Sequence, residues 1–117
     1  MEIIKKTIKL NKEDFYKKHL SIINPVLPIQ LTQKEIEVLA AFMLASKRFK
    51  DPFGKEGRKL VKNIVEISTG GLGNYLDQLK SKGFLLLNNN KEIEILPILK
   101  PKNEIQIYQF KLETNEE

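Results

Sequence analysis

Few side chains in this sequence combine the type and spacing that chemistry needs. Gly71-Leu72-Gly73 supplies a G-x-G, the opening of a dinucleotide-binding loop whose glycines let a pyrophosphate approach the backbone. The third glycine is missing, because position 76 is Leu, and no strand–helix–strand pattern with a downstream acid surrounds the stretch. His19 is the single histidine, without a second ligand or base candidate of its kind, and is expected in packing or at the surface. Ser68 and Ser81 have no histidine in a recognisable nucleophile arrangement. Glu35 is better placed as a helix-cap partner than as an acid, and Glu92 and Glu94 as an exposed pair. Neither catalysis nor a cofactor or metal is expected.

Bulk properties narrow the rest. The 117 residues suffice for one domain with one modest core. With no cysteine, disulfides and thiolate metal sites are excluded. No apolar run approaches the roughly 18 residues of a membrane span, and no signal peptide is evident, so no membrane partner and a cytoplasmic location are expected. A formal charge of +5 and a pI near 9.4 favour an acidic partner such as nucleic acid. Abundant Lys, Ile and Asn with only two Arg reflect an AT-rich genome and suit a phage, plasmid or other mobile element.

The elements that must position any site read as follows. Residues 1–10 alternate as a short, half-buried strand. Asn11 caps a helix from 12 to about 22, which must stop before Asn24-Pro25. Residues 25–31 form an extended connector. Thr32 and Glu35 make a capping box, with Leu31 stapling onto Ile36, for a helix apolar on most of its circumference. Such a helix is central and buried, or else binds a partner. A polar linker, residues 46–57, is pinned by Phe49 and Phe53. A second helix spans about 56–66. Ser68 caps a third, which Gly83 stops. Residues 84–96 form a hairpin around Asn88-Asn89-Asn90, whose asparagines tolerate positive backbone angles. NEIQIYQFKLE reads as a final strand, followed by a frayed acidic end.

Helix, helix, glycine-stopped helix, then hairpin resembles a winged helix-turn-helix. LTQKEIEVLAAF resembles its first helix, RKLVKNIVEIS its second helix and turn, STGGLGNYLDQLKSKGFL its recognition helix, and LLNNNKEIEILPIL its wing. The pattern, over residues 31 to 99, is similar to transcription regulators of the multiple-antibiotic-resistance and related types. The resemblance implies a third helix in the DNA major groove and a wing along the backbone or minor groove. It implies readout by Thr69, Gly70, Gly71, Asn74, Tyr75 and Gln78, and phosphate contact by Arg58, Lys59, Lys62 and Lys91.

The third helix departs from the family pattern. It carries no Arg or Lys before Lys80, and Asp77 lies near the reading face. Each interior glycine costs a helix about 1 kcal/mol relative to alanine. Three readings are open at the helix start: Gly70 and Gly71 let a phosphate approach the backbone closely, or let another protein or the second helix pack tightly, or the helix starts only near Leu72 and Thr69–Gly71 are its turn. Positive charge is local: residues 47 to 62 hold seven Lys or Arg against Asp51 and Glu56.

The end strands fall outside the winged-helix pattern. They are expected to pair with each other or across a two-fold axis, since exposed strands find partners. A homodimer would suit a palindromic DNA site. The expectation is therefore a single α+β domain over residues 1–117, a winged helix-turn-helix core (31–99) with extra N- and C-terminal strands, binding double-stranded DNA as a small transcription regulator. The alternative is a protein–protein docking module of a transcription, replication or virion assembly complex.

Overall fold

Helix α1 (Lys12–Ile23) starts where the side chain of Asn11 accepts a hydrogen bond from the Asp14 N–H, at 2.8 Å in a computed structural model that describes residues 4–116. Asn24, although followed by proline, keeps helical angles (φ −52°, ψ −46°) and opens a short 3-10 turn, Asn24–Val26, where the sequence predicts extended chain. The disfavoured geometry before proline is offset by the Asn24 side chain. Its Nδ2 donates to the Leu31 carbonyl at 2.9 Å, and its Oδ1 accepts from the Leu31 N–H at 2.6 Å, closing the connector into a loop.

Helix α2 (Gln33–Arg48) is the centre of the molecule. Its capping box is complete: Thr32 Oγ1 accepts from the Glu35 N–H, and Glu35 Oε1 accepts from the Thr32 N–H at 2.7 Å. Nine of its sixteen residues are buried, among them Val38, Leu39, Ala40, Ala41 and Phe42 in succession. No face of that stretch is left for a partner, so the helix is core. It runs through Ser46, Lys47 and Arg48, which the sequence assigns to the linker. α1 packs on one flank and α3 (Lys55–Val65) on another. The linker is pinned where Phe53 stacks on Phe42, ring centroids 4.4 Å apart, a contact worth about 1 kcal/mol beyond the area it buries.

Helix α4 (Thr69–Ser81) contributes Leu72, Leu76 and Leu79 to the core. It ends in a Schellman arrangement, with the Phe84 N–H donating to the Leu79 carbonyl, the Gly83 N–H to the Lys80 carbonyl, and Gly83 at φ +81°. Strands β1 (Leu85–Leu87) and β2 (Ile93–Ile95) pair antiparallel, Leu85 opposite Ile95 and Leu87 opposite Ile93. Asn88 organises the loop, its Oδ1 accepting from the N–H groups of Asn90 and Glu92. The positive angle falls on Lys91 (φ 61°) and not on an asparagine. A second 3-10 turn, Pro97–Leu99, buries Leu99 against the core.

Within the single chain the expected terminal strands do not form, while their pairing across a two-fold axis is a property of two chains. Residues 4–10 and 105–116 form no strand, and residues 1–3 of the first lie outside the described chain. Alternation gives these segments the capacity for a strand, but a strand exists only when another strand supplies the hydrogen bonds. The C-terminal segment is instead tied to α1 by one clip. His19, buried, donates from Nε2 to the Leu99 carbonyl at 3.0 Å, so Nδ1 accepts from the Tyr108 hydroxyl at 2.5 Å. Burial holds the His19 pKa below the ordinary 6.5, against the opposing pull of the Leu99 carbonyl. The unfolded chain thus binds a proton that the folded chain refuses, and stability falls as pH drops below 6.5 toward the folded value. Because the chain has one histidine, a proton NMR titration reads it directly. The expected midpoint is below 6.5, and one at or above 6.5 contradicts the buried neutral ring.

Candidate nucleic-acid interface

α3 and α4, joined by the turn at residues 66–68, carry nine of the ten predicted site residues, and Lys91 lies in the hairpin loop. α3 stops at Glu66, whose left-handed angles (φ 59°, ψ 51°) turn the chain sharply at a cost of about 1 kcal/mol for a residue with a Cβ. Two residues later Ser68 Oγ accepts from the Gly71 N–H at 3.0 Å and starts α4 at Thr69. The late-start reading is thereby corrected: Thr69, Gly70 and Gly71 are helical, because the serine cap satisfies an N–H that glycine alone leaves open. Across the turn, Lys62 Nζ donates to Thr69 Oγ1 at 3.1 Å, linking the two helices.

Helical spacing then sorts α4. With Leu72, Leu76 and Leu79 inward, Gly70, Asn74, Asp77, Gln78 and Ser81 are exposed together with Thr69. Gly71 is half-buried beside its Ser68 cap. Tyr75 is half-buried and packs on the core with its ring, so it flanks the outward face rather than standing on it. A Cβ added at Gly70 or Gly73 would meet nothing within 4 Å, which removes packing against α3 as their reason. What these glycines leave bare is surface open to another molecule.

The cations divide by how they are used. Arg58 is half-buried and donates from Nε to the Phe53 carbonyl at 2.6 Å, so part of its guanidinium holds the linker. Lys62 serves the turn as described. Lys59 is exposed, and Lys91 is exposed at the hairpin loop. The sequence reading placed Lys55 in the linker. In the structure it is exposed in the first turn of α3, at i, i+4 and i+7 with Lys59 and Lys62, so the three share one stripe. The signal was the spacing itself, obscured by starting the helix one residue late. Among the described residues, none of the seven cations from Lys47 to Lys62 pairs with a carboxylate. Exposed Asp77 sits opposite in sign on the α4 face.

Elsewhere the surface offers a cavity of about 410 Å³ between the start of α1, the end of α2 and residues 100–104, lined by Phe15, Tyr16 and Met43. It shares no residue with α3 or α4. Among the described residues no group of three or more His, Asp or Glu side chains could hold a metal, and no helix is long and apolar enough to cross a membrane.

Among the described residues, four α-helices, two 3-10 turns and a two-stranded antiparallel sheet make an α+β protein. No protein-family model, curated protein or solved structure matches the chain.

Proposed function

We propose that this chain is a winged helix-turn-helix protein that binds double-stranded DNA, acting in the cytoplasm as a small regulator of transcription. The observation that carries the reading is the outward face of α4. It is polar, unobstructed at Gly70 and Gly73, and joined through the Lys62–Thr69 contact to a stripe of lysines on α3 that have no carboxylate partner among the described residues. A helix with small residues on its exposed face can sit deep in a major groove, where Asn74 and Gln78 have the donor–acceptor pairs that match adenine. Thr69 adds a hydroxyl at the helix start, and Lys55, Lys59 and Lys91 supply phosphate contacts. Phosphate contacts fix orientation, and the short polar set on α4 gives the sequence preference.

A second reading has its own support. Asp77 stands on the same face as Asn74, and the hairpin exposes Leu86 and Leu87. Those features suit docking on a protein surface of a transcription, replication or virion assembly complex.

Binding to labelled random-sequence duplex DNA at two salt concentrations separates the readings. The control is Lys55→Glu/Lys59→Glu, which spares the Lys62–Thr69 contact. The DNA reading expects affinity that falls steeply with salt. In the double variant the log–log salt slope shrinks by about 2, and affinity drops at least about tenfold. A folded protein with no binding at low salt would leave the docking reading.

A further inference from the structure

We propose that the two terminal arms, residues 4–10 and 104–116, pair as β-strands between two copies of this chain, the basic arm of each copy against the acidic arm of the other. The proposal stands apart from the DNA reading and does not depend on it.

Both arms expose large apolar side chains. Ile4 is 97% exposed, Ile107 91%, Phe110 72% and Leu112 101%, with Ile8 and Ile105 largely exposed as well. In an extended chain Ile105 and Ile107 share one face and Tyr108, Phe110 and Leu112 the other, and isoleucine and aromatic residues favour strands. Left open, such segments are sites of edge pairing and aggregation. The molecule is 55 Å long against 29 Å in each other direction, and its radius of gyration of 16.1 Å exceeds the roughly 13 Å of a compact chain this size.

Charge selects the occupant. Residues 4–10 carry Lys5, Lys6 and Lys9 and no acid, while residues 104–116 carry Glu104, Glu113 and Glu116 against Lys111 alone. The arms are therefore complementary in charge, and each repels its own kind. Present pairings, Lys12–Glu104 at 3.8 Å and Lys111–Glu113 at 2.5 Å, lie on the surface and hold little energy.

Within one chain the two arms do not pair: among the described residues no backbone hydrogen bond joins them. The N-terminal arm joins α1 at Asn11. The C-terminal arm follows α1 from Lys12, which Glu104 approaches, to His19, which Tyr108 bonds. Its first residues lie along α1, so Tyr108 sits about 10 Å along the helix axis from the point where the N-terminal arm joins. A second copy turned end for end brings each arm to its complement, and two such pairings close a symmetric dimer.

The native chain has no cysteine, so single cysteines report on the pairing. Full-length Ile8→Cys and Ile107→Cys chains, one carrying a mass tag, are mixed and oxidised, and mass in solution is measured in parallel. The expected results are a mass twice 13.6 kDa and disulfides that join tagged to untagged chains more than like to like. Lys5→Glu/Lys6→Glu/Lys9→Glu alone should be monomeric, and so should Glu104→Lys/Glu113→Lys/Glu116→Lys alone. Their equimolar mixture should recover the dimer, because both arm pairs are then complementary. A monomeric mass with helical circular dichroism retained overturns the proposal. So does a dimer that crosslinks only like to like, or a failure of the two charge variants to complement.

Discussion

Lys82→Met is expected to destabilise the fold by about 3 kcal/mol at neutral pH, because it strands a buried carboxylate. Glu35 has no exposed surface, and Lys82 Nζ reaches its Oε1 at 2.6 Å from the far end of α4 while also donating to the Gln30 carbonyl. Oε2 has no hydrogen-bond partner among the described residues. Burial alone would raise the Glu35 pKa, but the hydrogen bonds from Lys82 and Thr32 outweigh it and hold it below the ordinary 4.5. A carboxylate depressed in the folded state contributes stability above pH 4.5 that is lost as pH falls through the folded value. Without Lys82 the depression is lost and burial dominates, so acid unfolding should begin at higher pH. Chemical denaturation from neutral to acid pH checks both parts. A loss under about 1 kcal/mol would mean that water reaches the carboxylate and the pair behaves as a surface one. The pair also explains how the capping box of α2 and the exit of α4 are held in register, since one carboxylate serves both.

Gly57→Ala is the second large effect. The added Cβ would lie 1.8 Å from the Pro52 carbonyl oxygen and 2.4 Å from its carbon, so α3 or the linker must move. Overpacking against backbone costs about 3 kcal/mol, which for a chain of this size lowers the melting temperature by about 12 °C. Gly73→Ala is the internal control. Its Cβ meets nothing within 4 Å, so helix propensity acts alone and should raise stability by about 1 kcal/mol. Thermal melts of the two variants should therefore move in opposite directions. If Gly73→Ala is stabilising yet weakens DNA binding, that glycine is kept for the approach of a partner and against the interest of the fold.

The two glycines show where sequence reading reaches its limit. Gly57 drew no remark in the sequence, being one glycine near the end of a polar linker, yet it is where α3 meets the Pro52 backbone. Gly70, Gly71 and Gly73 drew attention through helix propensity, but propensity could not say whether their bare positions face a neighbouring helix or solvent. Asn24 is similar: the proline rule argued against helical angles, and two side-chain hydrogen bonds to Leu31 override it. The sequence boundary puts Lys55 in the linker, whereas α3 begins with it and aligns it with Lys59 and Lys62, and the Arg58 Nε bonds the Phe53 carbonyl, a contact that local pattern does not name.

Local chemistry in the chain itself determined the starts and stops: Asn11, Thr32 with Glu35, Ser68 and Gly83 each satisfy or turn a helix end using atoms within a few residues. It also determined the central helix, whose apolar circumference has no stable place but a core. Tertiary structure decided everything that depends on atoms distant in sequence. It set Glu35 against Lys82, clipped Tyr108 onto His19, bared Gly70 and Gly73, and left the terminal arms without the hydrogen-bonding partner that would make them strands. A helix carries its own hydrogen bonds and is legible from one segment, whereas a strand, a buried charge or a close backbone approach is defined by a second segment that local pattern does not name.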